Sequence, residues 1–421
     1  MGNRRRVESL PALFLCVGLI ALAAGISFEG CGGKKTGDKL VFWEFWQSSL
    51  MEPLIREFER ENPGIKVEMQ QITWQNGLEK ILAAVASGTA PDLCELGSTF
   101  FPRFASSGSL HEVGSDVDSL RDKLTNWELV TYDGKIYGIP WLVGTRAIFF
   151  NKTLLAKAGL DSTRGPETWQ ELVEIAKKIH DPAEGIYGFG LNSGERYVLF
   201  KKFMPFAWGN GGNVLTSDLK HSRLYSRENV EALKFYVSLK RCSVVERQEV
   251  LDRLFKEGRV GLILSGAWNL KTIPAEAPNL RFGVSIVPKP GIEKGTHASF
   301  AGGEILAVFE SSKKKDDALR LACFLARKKN ALAISKSEHS VQPAVAGIDT
   351  DEYFVKNPLE GVFAEQLKYA VSTPNIPNWL EIEGVVEDAV EEALHGRKTP
   401  DEALRTAGTK IEQLLTKPDS R

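Results

Sequence analysis

Leu40-Val41-Phe42-Trp43, then Leu50, Leu54, Ile55 and Phe58 before Asn62-Pro63-Gly64, then Ile65-Lys66-Val67-Glu68-Met69, decide the fold class of this chain. The first run is short and continuously apolar, as in a strand buried on both faces. The second recurs at the spacing of an amphipathic helix and stops at a turn, and the third alternates as a strand does. Leu78, Ile81, Leu82 and Val85 repeat the helical stripe up to Gly88, and Asp92-Leu93-Cys94-Glu95-Leu96 reads as a third strand. Strand, helix, strand, helix, strand is the pattern of a parallel sheet covered by helices, so the chain opens on an α/β lobe.

A second lobe is expected from about residue 147. Thr168-x-x-Glu171 is a capping box that starts a helix turning Leu172, Ala176 and Ile179 inward. Val260 to Leu264 and Phe282 to Val287 read as strands, the latter ending at Pro288 and Pro290. Helices are expected from about Asp316 to Ser335 and from Thr399 to Leu415, the latter with Thr399 as N-cap, Pro400 at the first position and Glu402 at the third. No repeat of solenoid length occurs. At 421 residues the chain is beyond the size of one hydrophobic core, which agrees with two α/β lobes.

Composition removes several function classes. With 53 Lys+Arg against 54 Asp+Glu the net charge is -1, and no long basic run is present to neutralise phosphates, so nucleic acid is not the expected partner. Apolar residues at 43% and charged ones at 25% are those of a folded globular chain. Five cysteines without a Cys-x-x-Cys pair make neither a zinc ribbon nor a disulfide scaffold. The six histidines show no His-Glu-x-x-His, no Gly-x-Ser-x-Gly elbow occurs, and Gly33-Lys34-Lys35-Thr36 has Lys35 where a phosphate loop needs Ser or Thr. No metal or other cofactor is expected.

Arg4-Arg5-Arg6 followed by an uncharged apolar run from Leu10 to Phe28 has the layout of a secretory signal; an uncleaved membrane anchor is the other reading of that run. Cys31 in Gly30-Cys31-Gly32-Gly33, before a polar stretch Lys34 to Asp38, resembles the lipidated cysteine of a bacterial lipoprotein, although Phe28 and Glu29 stand where that signal usually has Leu and a small residue. Ala21-Leu22-Ala23 offers an ordinary cleavage site instead. The expected division is a signal over 1–30 and a tether over 31–38, with the mature protein outside the cytoplasm and lipid-anchored if Cys31 is modified.

Several motifs, in order along almost the whole mature chain, resemble the solute-binding proteins of bacterial ABC importers, in the branch of maltose- and oligosaccharide-binding proteins. They are Phe42-Trp43, Asn62-Pro63-Gly64-Ile65-Lys66-Val67, Ala86-Ser87-Gly88-Thr89-Ala90-Pro91-Asp92 and Tyr132-Asp133-Gly134-Lys135-Ile136-Tyr137-Gly138-Ile139-Pro140-Trp141. Phe150-Asn151-Lys152, Pro166-x-Thr168-Trp169, Ser265-Gly266-Ala267-Trp268, Gly302-Gly303 and Thr399-Pro400-Asp401-Glu402-Ala403-Leu404 complete the series. The resemblance implies a two-lobed periplasmic-binding-protein fold with discontinuous lobes, 39–143 with 297–345 and 147–292 with 351–421, hinged near 142–147, 290–297 and 344–351. It also implies a monomer that closes on a carbohydrate and presents it to a membrane permease, with no chemistry on the ligand.

Sugars present an apolar C–H face and a rim of hydroxyls, so a site needs aromatic platforms and groups that donate and accept. Trp46, Trp141, Trp208, Trp268 and Trp379 sit at strand ends or in Gly/Pro/Asn-rich loops, where stacking on a ligand and ordinary burial are both open; Trp43, Trp127 and Trp169 read as core. Trp268 is the sharpest candidate, following an apolar strand and the turn Ser265-Gly266, where relatives commonly place an aromatic residue. Gln47 ends the first strand, Ser98 and Thr99 follow the third, and Gly303 with Glu304 precedes an apolar run. Arg146 and Arg196 offer planar donor forks for hydroxyls or an acidic group, against a salt-bridge role for each. They keep sugar acids and glycerol-phosphate diesters open as ligands. Glu44, Glu95 and Glu304 keep open a secreted glycosidase, which needs only two carboxylates. A surface adhesin lacks its repeats and stalk.

Overall fold

The structure, a computed structural model, describes residues 39–416; the signal and Cys31 readings lie outside them. The strands in chain order are β1 (Leu40–Glu44), β2 (Val67–Gln71), β3 (Leu93–Gly97), β4 (Thr131–Tyr132), β5 (Lys135–Ile136), β6 (Ile139–Gly144), β7 (Arg146–Asn151), β8 (Tyr187–Asn192), β9 (Ser243–Glu246), β10 (Val260–Gly266), β11 (Phe282–Ser285), β12 (Ser299–Val308), β13 (Gln342–Pro343) and β14 (Ala370–Ser372).

The first sheet runs β13-β6-β12-β3-β1-β2, with β14 beside β12. Its β2-β1-β3 part is parallel, joined by the expected helices Ser48–Glu61 and Gly77–Ser87, which bury Met51, Leu54, Ile55 and Phe58 and Leu78, Ile81 and Ala84. The sheet as a whole is mixed, because β12 arrives from far along the chain and lies antiparallel between β3 and β6. Local periodicity carries no information about such a long-range partner. The second sheet runs β11-β7-β10-β8-β9, parallel from β10 to β9 and antiparallel on both sides of β7. Each sheet has its own apolar core, one around Phe42, Leu96 and Ile305, the others around Phe189, Phe203 and Leu262 and around Phe149 and Phe255.

The two sheets share chain at two places. β6 passes into β7 through Thr145, and β12 reaches both sides, its Ser299 Oγ donating to the Arg146 carbonyl while Gly302 pairs with Gly144. The 290–297 stretch, just before β12, holds a turn closed by the Gly291–Lys294 bridge. It is fixed to the second sheet's helices through Thr296 N–H on Gly209 O and Lys294 on Glu231. Further on, Ala344 and Ala346 N–H bond back to Trp141 O and Lys123 O, and Asp351 caps the next helix through Tyr353 N–H.

The single helix expected over 316–335 is two, Lys315–Leu325 and Lys328–Glu338. The break falls where Asn330 Nδ2 donates to Phe324 O and so satisfies a carbonyl that a continuous helix would bond from the backbone. Thr399 makes the full capping box with Glu402. Thr168 caps Glu171 N–H, but the Glu171 carboxylate turns to Arg164 and Glu167 N–H instead of closing the box. Among the described residues no helix is long and apolar enough to cross a membrane.

Candidate functional site

Three carboxyls meet where β1, β3 and β12 approach the second sheet. Glu44 and Glu95 are 0% exposed, and Glu304 lies opposite Gly97 in the β12–β3 register. Backbone donors hold two of them: Phe45 N–H reaches Glu95 Oε2 at 2.8 Å and Trp46 N–H reaches Glu44 Oε2 at 2.6 Å. Glu95 and Glu304 are near enough for each to bear on the other's protonation, and two like charges there disfavour one another. Burial lifts Glu44 to about 7, against the Trp46 N–H. Burial lifts Glu304 to about 8, opposed by the hydrogen bond from Glu95 and by the Arg146 charge. Glu95 is pushed well up by burial and then by Glu304.

An aromatic wall stands beside them. Trp74, in the loop after β2, stacks on Phe45 at 3.9 Å between ring centroids and 9° between planes, and leans on Phe100 at 6.2 Å. Two glycines make room: a Cβ on Gly77 would lie 2.6 Å from the Phe45 ring, and one on Gly97 3.0 Å from Trp74. Phe100 in turn meets Tyr197 edge-on at 6.4 Å. Tyr197 sits at φ 62 just before the helix Leu199–Gly209 of the second lobe, so this ring pair spans from one lobe to the other.

The facing wall is built on Asp252. Its carboxylate accepts from Gln248 Nε2 (2.7 Å), Asn269 Nδ2 (2.8 Å), Ser265 Oγ (2.9 Å) and the Trp268 indole N–H (2.9 Å). That bond fixes the Trp268 ring, which folds back over Gly266 so closely that a Cβ there would come within 1.9 Å of it. The Arg146 guanidinium lies 4.8 Å from the Trp268 ring centroid and 5.9 Å from that of Phe300. Burial lowers Arg146 to about 10, with Asp252 and Glu304 opposing. Lys202 donates to Leu264 O and is driven well down by burial and then by Arg146. Lys201, over Phe300 at 5.1 Å, is lowered by burial while Glu383 opposes. Glu383 itself is raised to about 7 by burial.

Of the residues singled out in the sequence, Glu304, Arg146 and Trp268 come together at this place. Trp46 is half-buried beside Glu44, its indole N–H buried without a hydrogen-bond partner, and Gln47 is exposed at the start of the following helix. Ser98 and Gly303 clasp each other, Ser98 N–H to Gly303 O and Gly303 N–H to Ser98 Oγ, so their polar groups tie β3 to β12; Thr99 is buried next to them. Trp141 is removed from the groove: it is 1% exposed and its indole donates to Leu325 O in the first core. Trp379 is as deeply buried, donating to Glu383 and packed edge-on against Phe200. Trp208 packs against the same phenylalanine in the second core. Arg196 has the salt-bridge role, donating to Gly384 O at 2.7 Å and Asp388 at 2.6 Å. Loop composition misplaced the three tryptophans because the adjoining helices fold over them.

Trp74, Tyr197, Asp252, Lys201 and Lys202 were missed. Trp74 lies in Thr73-Trp74-Gln75-Asn76-Gly77, a polar loop at a strand end, and the loop criterion applied to the other tryptophans selects it. Lys201-Lys202 and Asp252 read as ordinary helix-face charges, and no local signal distinguishes them. The three carboxyls that could converge for a glycosidase, Glu44, Glu95 and Glu304, do lie together on the first wall.

A family model, that of the bacterial extracellular solute-binding proteins, matches residues 46–332. The chain belongs to that family. It is a family of binding proteins that act outside the cytoplasm. This solute-binding protein is 28% identical over 411 residues to the galactooligosaccharide-binding protein of Bacillus subtilis, covering 92% of this chain and 94% of that one. Among solved structures it resembles an ABC transporter solute-binding protein of Thermotoga lettingae bound with α-D-tagatose, with a TM-score of 0.80 and 27% identity over 90% of this chain and 99% of that one. It also resembles a Listeria monocytogenes ABC substrate-binding protein in complex with cycloalternan, with a TM-score of 0.78 and 25% identity over 90% and 99%. The two-lobed fold of the solute-binding protein is thereby shown.

The raised carboxyls give a pH dependence with a definite sign. Glu44, Glu304 and Glu383 hold protons in the fold to about 7, 8 and 7, above their ordinary 4.5. Between those values the native state binds more protons than the unfolded chain, so the stability they contribute is full below about pH 4.5 and lost as pH rises through 7 to 8. Urea unfolding of the ligand-free protein should show stability falling from pH 5 to pH 8, with a shallower fall in Glu304→Gln. A rise over that interval would contradict the burial of these groups.

Proposed function

We propose that this protein captures a sugar or oligosaccharide between its lobes and delivers it to the permease of a membrane ABC importer. The observation that carries the reading is the pairing of two unlike walls, Trp74, Phe45 and the carboxyls from one lobe, Tyr197, Arg146 and Trp268 from the other. Flat aromatic faces suit the apolar side of a sugar ring, and the acceptors and donors between them suit its hydroxyls. Ser98, Thr99, Trp46, Gln47, Gly303 and Glu304 line or support the first wall in this reading. The carbohydrate ligands of the relatives named above agree with it.

In this reading the lobes are 39–143 with 297–345 and 147–292 with 351–421, hinged near 142–147, 290–297 and 344–351. Closure of such a hinge buries the ligand from both sides. A thermal-shift screen over neutral, amino and acidic sugars tests the function: a ligand at about a hundred times its Kd adds about 2.7 kcal/mol to the native state. A panel of this kind without one shift would count against it.

The protein works as a monomer, tethered through a lipid on Cys31 to the outer face of a membrane. Wild type expressed in bacteria should then fractionate with membranes, and Cys31→Ala should be released or accumulate uncleaved. A cleaved, soluble product from both would assign processing to the ordinary signal peptidase.

A further inference from the structure

Tyr197 carries a bulky ring on left-handed backbone, in the loop 193–198 that leads into the helix Leu199–Gly209. Such a residue disfavours that conformation, which persists where the surroundings fix the chain on both sides. Here the fixing comes from one helix, Trp379–Leu394. Its Glu391 carboxylate accepts from Ser193 Oγ at 2.9 Å and from Gly194 N–H. Its Asp388 and the Gly384 carbonyl take the Arg196 guanidinium at 2.6 and 2.7 Å. Its Glu387 carboxylate accepts Phe200 N–H at 3.2 Å. Positions 384, 387, 388 and 391 recur at helical spacing and form one stripe, which holds the loop before and after Tyr197.

The clamped loop and its helix meet the first lobe together. Tyr197 lies edge-on to Phe100, and Glu381 in the first turn of the same helix pairs with Arg103 at 3.6 Å. Phe100 and Arg103 are three residues apart at the head of the helix Phe101–Ser106, so one turn of the first lobe receives both contacts. Glu195, the other charged side chain of the loop, is engaged on the far side, accepting from Gln248 N–H and Asn192 Nδ2. The donor fork of Arg196, which suits a ligand as well as a helix, is given to the helix.

We propose that Arg196, Glu387 and Glu391 are positioning residues for ligand capture: without touching the ligand, they hold Tyr197 at the lobe interface before the ligand arrives. This rests on the sugar-binding reading and adds to it residues that set affinity from outside the site. A ring held beforehand need not be ordered on binding, and the ordering cost that is avoided appears as affinity.

Two measurements need no ligand. Tyr197→Gly and Tyr197→Ala both remove the ring, so their difference reports the backbone alone; in urea unfolding the glycine variant should be the more stable. Trypsin should spare the bond after Arg196 in folded wild type and cut it in Glu387→Ala and Glu391→Ala. Protection should return in Glu387→Gln and Glu391→Gln, whose amide oxygen still accepts. Titration calorimetry with malto-, cello- and galacto-oligosaccharides then reads affinity. The oligosaccharide that binds wild type should bind Arg196→Ala about two- to ten-fold more weakly, the cost of ordering one side chain on binding, with Arg196→Lys in between. In a Tyr197→Ala background Arg196→Ala should cause no further loss, because the ring it positions is gone. Equal binding by wild type and Arg196→Ala, or an undiminished loss in that background, would overturn the positioning role and leave the binding function standing. Cleavage of folded wild type after Arg196, or an alanine variant more stable than the glycine one, would show that the loop is not held and overturn it as well. Binding of no oligosaccharide would instead remove the sugar reading and the affinity role with it, an outcome told apart by the trypsin and glycine results.

Discussion

Asp252→Ala should lower the stability of the ligand-free protein by about 3–5 kcal/mol, the cost expected when one partner of a buried charged network is deleted. Four donors converge on this carboxylate, from the Gln248, Ser265, Trp268 and Asn269 side chains, and Arg146 and Lys202 are the buried cations whose charge it offsets. Gln248 Nε2 and Asn269 Nδ2 also reach Ser265 Oγ at 3.0 Å, so part of the network can close on itself. The Trp268 indole N–H and the two cations cannot. Asp252→Asn keeps the volume and one acceptor while removing the charge, so it should recover roughly a third to a half of the loss, each remaining hydrogen bond being worth about 1 kcal/mol. Urea unfolding of the three proteins gives the comparison. A loss below about 1 kcal/mol in the alanine variant would mean that water already satisfies these donors.

The same residue shows where reading a sequence stops. The opening strand–helix–strand–helix–strand of the first lobe is legible because each element has its own period: Leu40 to Trp43 is continuous, and Leu50 to Phe58 is helical. Asp92, inside the expected third strand segment, takes Val41 N–H and Ser312 Oγ and closes the loop before β3. The antiparallel insertion of β12 between β3 and β6 is not legible, because its partners lie about two hundred residues away and nothing in Ser299–Val308 names them. The site divides along the same line. Trp268 and Glu304 stand beside motifs that mark strand ends. Asp252 sits on a helix face that reads as ordinary amphipathic surface, and its role comes only from the loop that brings Ser265, Trp268 and Asn269 over it. The misplaced tryptophans follow from this limit: Trp141, Trp208 and Trp379 have loop-like neighbours in sequence but are covered in space by other helices, and only the covering elements decide burial.

Trp74→Ala should weaken ligand binding five- to a hundred-fold while costing the empty protein less stability than Trp268→Ala does. The indole is 46% exposed and rests on Phe45 with the planes 9° apart, so one face is packed while nearly half of the side chain is open to a ligand. Its truncation costs the ligand-free state the packed part of the ring, against Phe45 and Phe100, but no hydrogen-bonded network. A stacking aromatic at the centre of an interface is worth about 1–3 kcal/mol, which is the stated range in affinity. Trp268 makes the informative contrast. Its indole N–H belongs to Asp252 and one ring face to Arg146, so Trp268→Ala should lose apo stability as well as affinity. Unfolding without ligand and calorimetry with it, on both variants, separate the two roles. The decisive outcome is the first: if Trp74→Ala binds as tightly as wild type, the exposed indole is no part of the site, and the stacking surface must be sought on Tyr197 and Trp268.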